Sequence, residues 1–187
     1  MQTIATIRIA NSALYLNGLQ MFAHEAENAE VFFKALYQYL KLEYPKFFKM
    51  DSLSKLGFLA VEALVQHTAE IKSYADDEIA VVFGNYASSL DTDQKYWNGV
   101  AAAEPVASPA LFVYTLPNIV QGEIAIRHKW YGENMFLVLD RNNKTAVNNS
   151  AALLLETGKA KACVAGWVDY LNGAYEAEVA LVRKPEE

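Results

Sequence analysis

Cysteine is nearly absent: Cys163 is the single one in 187 residues. One thiol excludes an internal disulfide framework and any cysteine-rich zinc site, and it fits a reducing cytoplasm. Histidine is scarce. His24, His67 and His128 lie far apart, and none stands at metal-ligand spacing with another His or a carboxylate pair on a helix. Each reads as an ordinary surface or interface side chain, so no metal site and no cofactor are expected. Positive charge is in deficit, with 16 Lys and Arg against 22 Asp and Glu, a net charge of −6; such a chain is a poor general nucleic-acid binder. No apolar run approaches the ~20 residues that span a bilayer. The stretch Met1 to Asn11 lacks the basic start and long apolar segment of a secretion signal. The expectation is a soluble, cytoplasmic protein. There is no Walker loop, no Gly-x-Gly-x-x-Gly and no Gly-x-Ser-x-Gly elbow. Repeats, low-complexity segments and interdomain linkers are also missing, so residues 1–187 read as one domain.

What is present is apolar material. Hydrophobic residues make up 53%, including 11 Tyr, 9 Phe and 3 Trp, which supports a sizeable core and excludes intrinsic disorder. Residues 3–9 and 13–16 read as strand-like segments around Asn11-Ser12, either one strand or a hairpin, with Asn17-Gly18 ending the second. From Glu30 to Lys41, Val31, Ala35, Leu36, Tyr39 and Leu40 recur at helical spacing, and Pro45 closes that helix. Asp51 or Ser52 caps a second helix reaching about Thr68, because short oxygen-bearing side chains accept the free N–H groups of a first turn. Ile79 to Phe83 is a continuous apolar run ending at Gly84, the mark of a strand covered on both faces. Residues 86–108 read as irregular, with a short helix at Asp91–Trp97. Pro117 suits the first turn of a helix running to about Lys129. Met135–Leu139 reads as a strand, Asp140 to Asn149 as a polar stretch, and Ser150–Thr157 as a helix with Gly158 as its cap. Ala162–Val168 and Glu176–Val182 are two further strands joined near Asn172-Gly173. The alternation predicts an α/β fold with a mixed five-stranded sheet and helices on both faces.

Spacing alone brings out little chemistry. Cys163 opens an apolar strand, where a thiol is usually buried and inert rather than nucleophilic. Asp76-Asp77-Glu78 reads as a solvated loop. Arg127-His128-Lys129 with Arg141 and Lys144 either gather positive charge near one end of the sheet or form a solvated helix end.

Several stretches are more specific in their order and spacing. Ser108-Pro109-Ala110 is followed by Leu116-Pro117-Asn118-Ile119-Val120-Gln121-Gly122-Glu123-Ile124-Ala125-Ile126-Arg127. Tyr131-Gly132-Glu133-Asn134 comes next, with Lys49-Met50-Asp51-Ser52-Leu53-Ser54-Lys55 and Ile79–Asn85 upstream and Thr157–Gly166 downstream. Together these resemble the N-terminal half of β-ketoacyl-acyl-carrier-protein synthases, of the thiolase-like superfamily, over most of residues 45–170; residues 19–44 match poorly. The resemblance implies a thiolase-like half-domain. It also exposes a departure. Glu133 stands where the family usually has Pro, and an ungapped count from Gly132 puts Arg141 at the position of the family's nucleophilic Cys. A guanidinium stays protonated and cannot attack a thioester. The family's second half, which supplies two catalytic histidines and part of the oxyanion hole, has no counterpart before Glu187. No catalytic residue is therefore assigned, and Claisen condensation by this chain alone is not expected.

The resemblance then implies a pseudoenzyme. The first expectation is a non-catalytic accessory subunit, like a chain length factor, in fatty acid, polyketide or aryl-polyene biosynthesis. The alternative is a module that binds an acyl chain or an acidic acyl carrier protein through Arg127, Lys129, Arg141 and Lys144. An enzyme of another kind on the same half-fold is the third, though no acid, base and nucleophile converge to support it. Family members dimerise through the strand before the nucleophile, here Met135, Phe136, Leu137, Val138 and Leu139. An apolar edge of that kind, and the apolar helix Ser150–Leu155, imply a homodimer or a heterodimer with a full-length ketosynthase.

Overall fold

The computed structural model describes residues 1–105, 107–141 and 143–185. Asn142, within the stretch read as polar, and the last two residues, within the domain read as 1–187, lie outside them, as does Val106. The chain begins with a meander, β1 (Gln2–Ala10), β2 (Ala13–Leu16) and β3 (Leu19–Ala23). Asn11 and Ser12 both take positive φ (52° and 56°), as do Asn17 and Gly18 (49° and 83°), the geometry that tight hairpin turns require. The first two segments are thus a hairpin, and Asn17-Gly18 ends β2 as expected and turns the chain into a third strand. Leu19–Ala23 escaped notice because it is an edge strand with no clean apolar alternation.

Helix α1 (Ala29–Tyr39) is capped by Asn28, whose side chain accepts from the Val31 amide. Lys41 follows at φ 51°, and Pro45 opens a short 3-10 turn rather than closing the helix. Helix α2 (Ser52–His67) is capped by Asp51, which accepts from the Ser54 amide at 2.9 Å. The other Asp51 oxygen accepts from Thr92 Oγ1 at 2.8 Å, tying α2 to α3 (Leu90–Val100). Strand β4 (Ile79–Asn85) is buried throughout, as its unbroken apolar run predicts. A short α4 (Pro109–Val113), α5 (Ile119–His128), β5 (Asn134–Val138), α6 (Lys144–Glu156), β6 (Ala162–Leu171) and β7 (Ala174–Arg183) complete the chain.

Seven strands form one sheet among the described residues, in the order β3-β2-β1-β7-β6-β4-β5. This corrects the five-strand expectation; the mixed α/β class stands. β5, β4 and β6 run parallel, and the remaining pairs are antiparallel. From β4 the chain crosses outward to β5 and then back past β4 to β6. Right-handed crossovers in opposite directions place their helices on opposite faces. Val120 and Ile124 of α5 accordingly join the main core with α1 and α2. Val147, Ala151 and Leu155 of α6 make a smaller core on the other face with Ala80, Val82 and Cys163. At Gly84 a Cβ would stand 2.6 Å from Val147 Cγ2, so the bare glycine is what lets α6 lie this close to β4. α6 begins six residues before the expected Ser150. Its Asn- and Thr-bearing first turns are poor helix formers on their own, and burial of Val147 against the sheet overrides that.

Candidate functional site

In a parallel α/β sheet, the carboxyl ends of the strands at a reversal of strand order form the natural crevice. Here that place lies between β4 and its two parallel neighbours. A cleft of about 390 Å³ opens there. Tyr86 enters from the end of β4, Arg141 from the turn between β5 and α6, Trp167 and Asp169 from β6, and Tyr175 and Glu176 from β7. Its frame is rigid. The Asn85 side chain is fully buried, donates to the Ser88 carbonyl and accepts from the Ser88 amide, both at 2.9 Å. Asp169 Oδ1 accepts from the amides of Ala87 (2.9 Å) and Tyr86 (3.3 Å). Tyr175 lines the cleft from β7, but its ring packs on Phe33 in the main core, where its hydroxyl accepts from the Ser12 amide at 3.1 Å.

Arg141 lies one turn ahead of α6, and its guanidinium carbon sits 4.5 Å from the Tyr86 ring centroid. No thiol lines the cleft. Cys163 faces the smaller core, fully buried. Burial pushes its pKa up to about 12, which keeps it protonated and inert.

The expected gathering of positive charge does not form. α5 runs back against the parallel strands, so Arg127 and Lys129 arrive at their amino ends, whereas Arg141 follows the carboxyl end of β5. The two groups also sit on opposite faces. Arg127 Nε donates to Glu62 Oε1 at 3.1 Å and its guanidinium lies 5.1 Å from the Tyr44 centroid. His128 stacks on Trp130 and meets the same Glu62 oxygen at 3.0 Å. Burial alone would raise the Glu62 carboxyl, but His128 and Arg127 outweigh it and hold the pKa below the ordinary value. Lys129 is the left-handed C-cap of α5 and is exposed. Lys144 is bound to Glu178 (2.8 Å) and Glu176 (3.4 Å). Burial opposes its charge, and the two carboxylates more than compensate, so its pKa stands above that of a free lysine. Of the four candidate cations, Arg141 alone faces the cleft with no carboxylate partner among the described residues. Glu78, of the acidic loop, is paired with Lys161.

The predicted interface strand is an edge. Among the described residues β5 pairs with β4 on one side only. Met135 and Val138 are exposed, Leu137 and Leu139 pack on the smaller core, and Phe136 packs on the main one. Leu139 lies just beyond the strand, where its amide donates to the Asn85 carbonyl at 2.8 Å. Gln121 Nε2 donates to the carbonyls of Val81 (2.9 Å) and Met135 (2.7 Å), a side-chain staple across the β4–β5 pair that sequence reading did not single out. Tyr86, Trp167 and Asp169 were missed as site residues too. The available signal was position: Tyr86 follows the fully apolar strand, and Trp167 and Asp169 lie in its parallel neighbour where pairing with that strand stops. Among the described residues no three His, Cys, Asp or Glu side chains cluster as metal ligands, and no helix is long and apolar enough to cross a membrane.

No family model and no curated protein matches the chain. Solved structures do. The ishigamide ketosynthase/chain length factor superimposes with a TM-score of 0.71 at 17% identity, covering 97% of this chain and 61% of that one. AntDE:AntF, a type II polyketide synthase acyl-carrier protein in complex with its ketosynthase bound to the hexaketide, gives 0.72 at 11%, covering 97% and 62%. The ketosynthase ApeO in complex with its chain length factor ApeC, from Xenorhabdus doucetiae, gives 0.67 at 14%, covering 98% and 79%. The chain thus spans about three fifths of the length of the first two. At these identities the likeness speaks for the backbone alone, and that backbone is the thiolase-like fold of ketosynthases and chain length factors.

Proposed function

We propose that this chain is a non-catalytic ketosynthase-like subunit that accompanies an active synthase in the cytoplasm, in fatty acid, polyketide or aryl-polyene biosynthesis. One observation carries the reading. The chain has a ketosynthase-type backbone, yet the turn from β5 into α6 presents Arg141, and no thiol lines the cleft there. A permanently protonated guanidinium supplies neither nucleophile nor base. Such a chain has a use when it shapes a partner's site. The unpaired edge of β5 suits that role, because an open strand carrying Met135 and Val138 is a liability unless it is covered. Dimerisation through Met135–Leu139, with a synthase or with a second copy, covers it.

The test is mild affinity capture from the native cell, with mass spectrometry and light scattering on the eluted species. A full-length ketosynthase in fixed ratio is expected, and Val138→Lys, which puts a charge on the edge, should release it. A clean homodimer without synthase would overturn the reading.

A second reading, a docking module for an acidic acyl carrier protein, is favoured by a different surface from the one first expected. Residues 34–55 hold five lysines against two acids, in a chain whose net charge is −6. A groove of about 260 Å³ there is lined by Glu30, Val31, Lys34, Phe47, Phe48 and Lys55, with Phe48 exposed; Glu30 holds Lys55, which leaves Lys34 as the cation the groove offers. Carrier binding that weakens with salt and is lost on Lys34→Glu would favour this reading.

A further inference from the structure

We propose that the cleft at the carboxyl ends of β4 and β6 binds the carboxylate of a small planar organic acid, with Arg141 as the anchor and the Tyr86 and Trp167 rings as walls. The inference does not rest on the accessory-subunit reading.

The size is right. About 390 Å³ falls in the range of small-molecule sites, which combine apolar walls with a few fixed polar groups. The cation is available. Glu176, one of the two carboxylates lining the cleft, is held by Lys144 at 3.4 Å, with Arg8 at 4.0 Å. The other, Asp169, is turned onto the Tyr86 and Ala87 amides. Arg141 is left with the Tyr86 ring as its partner among the described residues. Stacking fixes the plane of a guanidinium and leaves its N–H edge free, and that edge matches a carboxylate in a two-point fork. The neighbouring helix end adds to it. α6 is 13 residues long, and Asn143 makes no side-chain cap on its first turn, so its amides lend positive potential to the same side of the cleft. The walls set the rest of the ligand. Trp167 is 4% exposed and Tyr86 45% exposed, giving one buried and one open aromatic surface. A flat hydrocarbon body packs on the open Tyr86 ring, with the buried Trp167 backing the floor of the cleft, whereas a bare phosphate would gain nothing from either.

The experiment is calorimetric titration of the full chain with benzoate, benzyl alcohol and inorganic phosphate as probes. Saturable benzoate binding in the millimolar range is expected, with benzyl alcohol and phosphate each at least about tenfold weaker. Arg141→Gln should weaken benzoate about tenfold and Arg141→Lys less, since it keeps the charge and loses the fork. Trp167→Leu should also weaken it. Arg127→Gln, on the opposite face, should leave it unchanged. Circular dichroism and thermal melting of each variant report folding, and exposed Arg141 tolerates replacement without unfolding. Absence of saturable benzoate binding overturns the proposal, as does equal binding of benzyl alcohol or phosphate, or an unchanged affinity in a folded Arg141→Gln protein.

Discussion

Replacing Leu155 with alanine is expected to destabilise the protein by about 3 kcal/mol, while the same change at Leu153, two residues away on the same helix, costs under about 0.5 kcal/mol. The contrast follows from how α6 is held. It is the helix of the smaller core, anchored by Val147, Ala151 and Leu155, with Leu154 half-buried beside them. Leu155 is 2% exposed and Leu153 is 59% exposed. Truncating Leu155 removes three buried carbons, worth about 0.8 kcal/mol each in transfer. A cavity term adds to that, and it is small because Leu154 can settle into the space. The sum lies at the low end of the range for buried leucines. For 187 residues, about 3 kcal/mol lowers Tm by roughly 6–12 °C. Urea and thermal unfolding of wild type, Leu155→Ala and Leu153→Ala, each at two protein concentrations, make the comparison. A Leu155→Ala protein within about 1 kcal/mol of wild type would refute the account of α6 as packed through that face. A Leu153→Ala loss that is marked at high protein concentration and shrinks on dilution would mean that a second copy covers the helix, because subunit contacts stabilise by mass action.

Three further outcomes are expected. Glu62→Gln leaves Arg127 and His128 without their shared carboxylate; it should cost about 2 kcal/mol near neutral pH, below the figure for a fully buried pair because Arg127 is 30% exposed. The Glu62 pKa is lowered on folding, so its contribution is present above the unfolded value near 4.5 and is lost as pH falls through the lower folded value. Urea midpoints of the two proteins should therefore converge as the pH is taken progressively below 4.5, and a constant gap would contradict this. Native Cys163 should resist iodoacetamide at mildly alkaline pH and react on unfolding, because its thiol is buried with a pKa near 12; prompt native labelling followed by mass spectrometry would refute it. Gly166→Ala should cost about 3 kcal/mol, read from the urea midpoint. Its Cβ would overlap the Glu178 carbonyl and stand 2.6 Å from Val179 Cα, so the β6–β7 pair must part; near-wild-type stability would mean that it does not.

Much of this could be read from residue order. The apolar run Ile79–Phe83 had to be a strand covered on both faces, and it is the buried centre of the parallel strands. Asp51 and Gly158 mark helix ends because side-chain oxygens and positive φ serve there whatever the fold. That residue 141 supplies no nucleophile was legible too, since the chemistry of a guanidinium does not depend on its surroundings. Local sequence determines such things because the forces behind them act within a few residues.

Other features belong to the tertiary structure. Leu19–Ala23 becomes a strand only because β2 offers it an edge. α6 extends back to Lys144 because the sheet buries Val147. The partition of charge is the clearest case. Arg127, Lys129, Arg141 and Lys144 looked alike along the chain, yet Glu62 claims the first, Glu176 and Glu178 the last, and Lys129 caps a helix at the far end of the sheet. Arg141 alone is left facing a cleft whose walls, Tyr86 and Trp167, are 81 residues apart in sequence and meet because β4 and β6 pair in parallel. Which cation is spent and which is free depends on which carboxylates folding brings within a few ångströms. That distance is set by the register and crossover of the strands, and no short stretch of sequence encodes it.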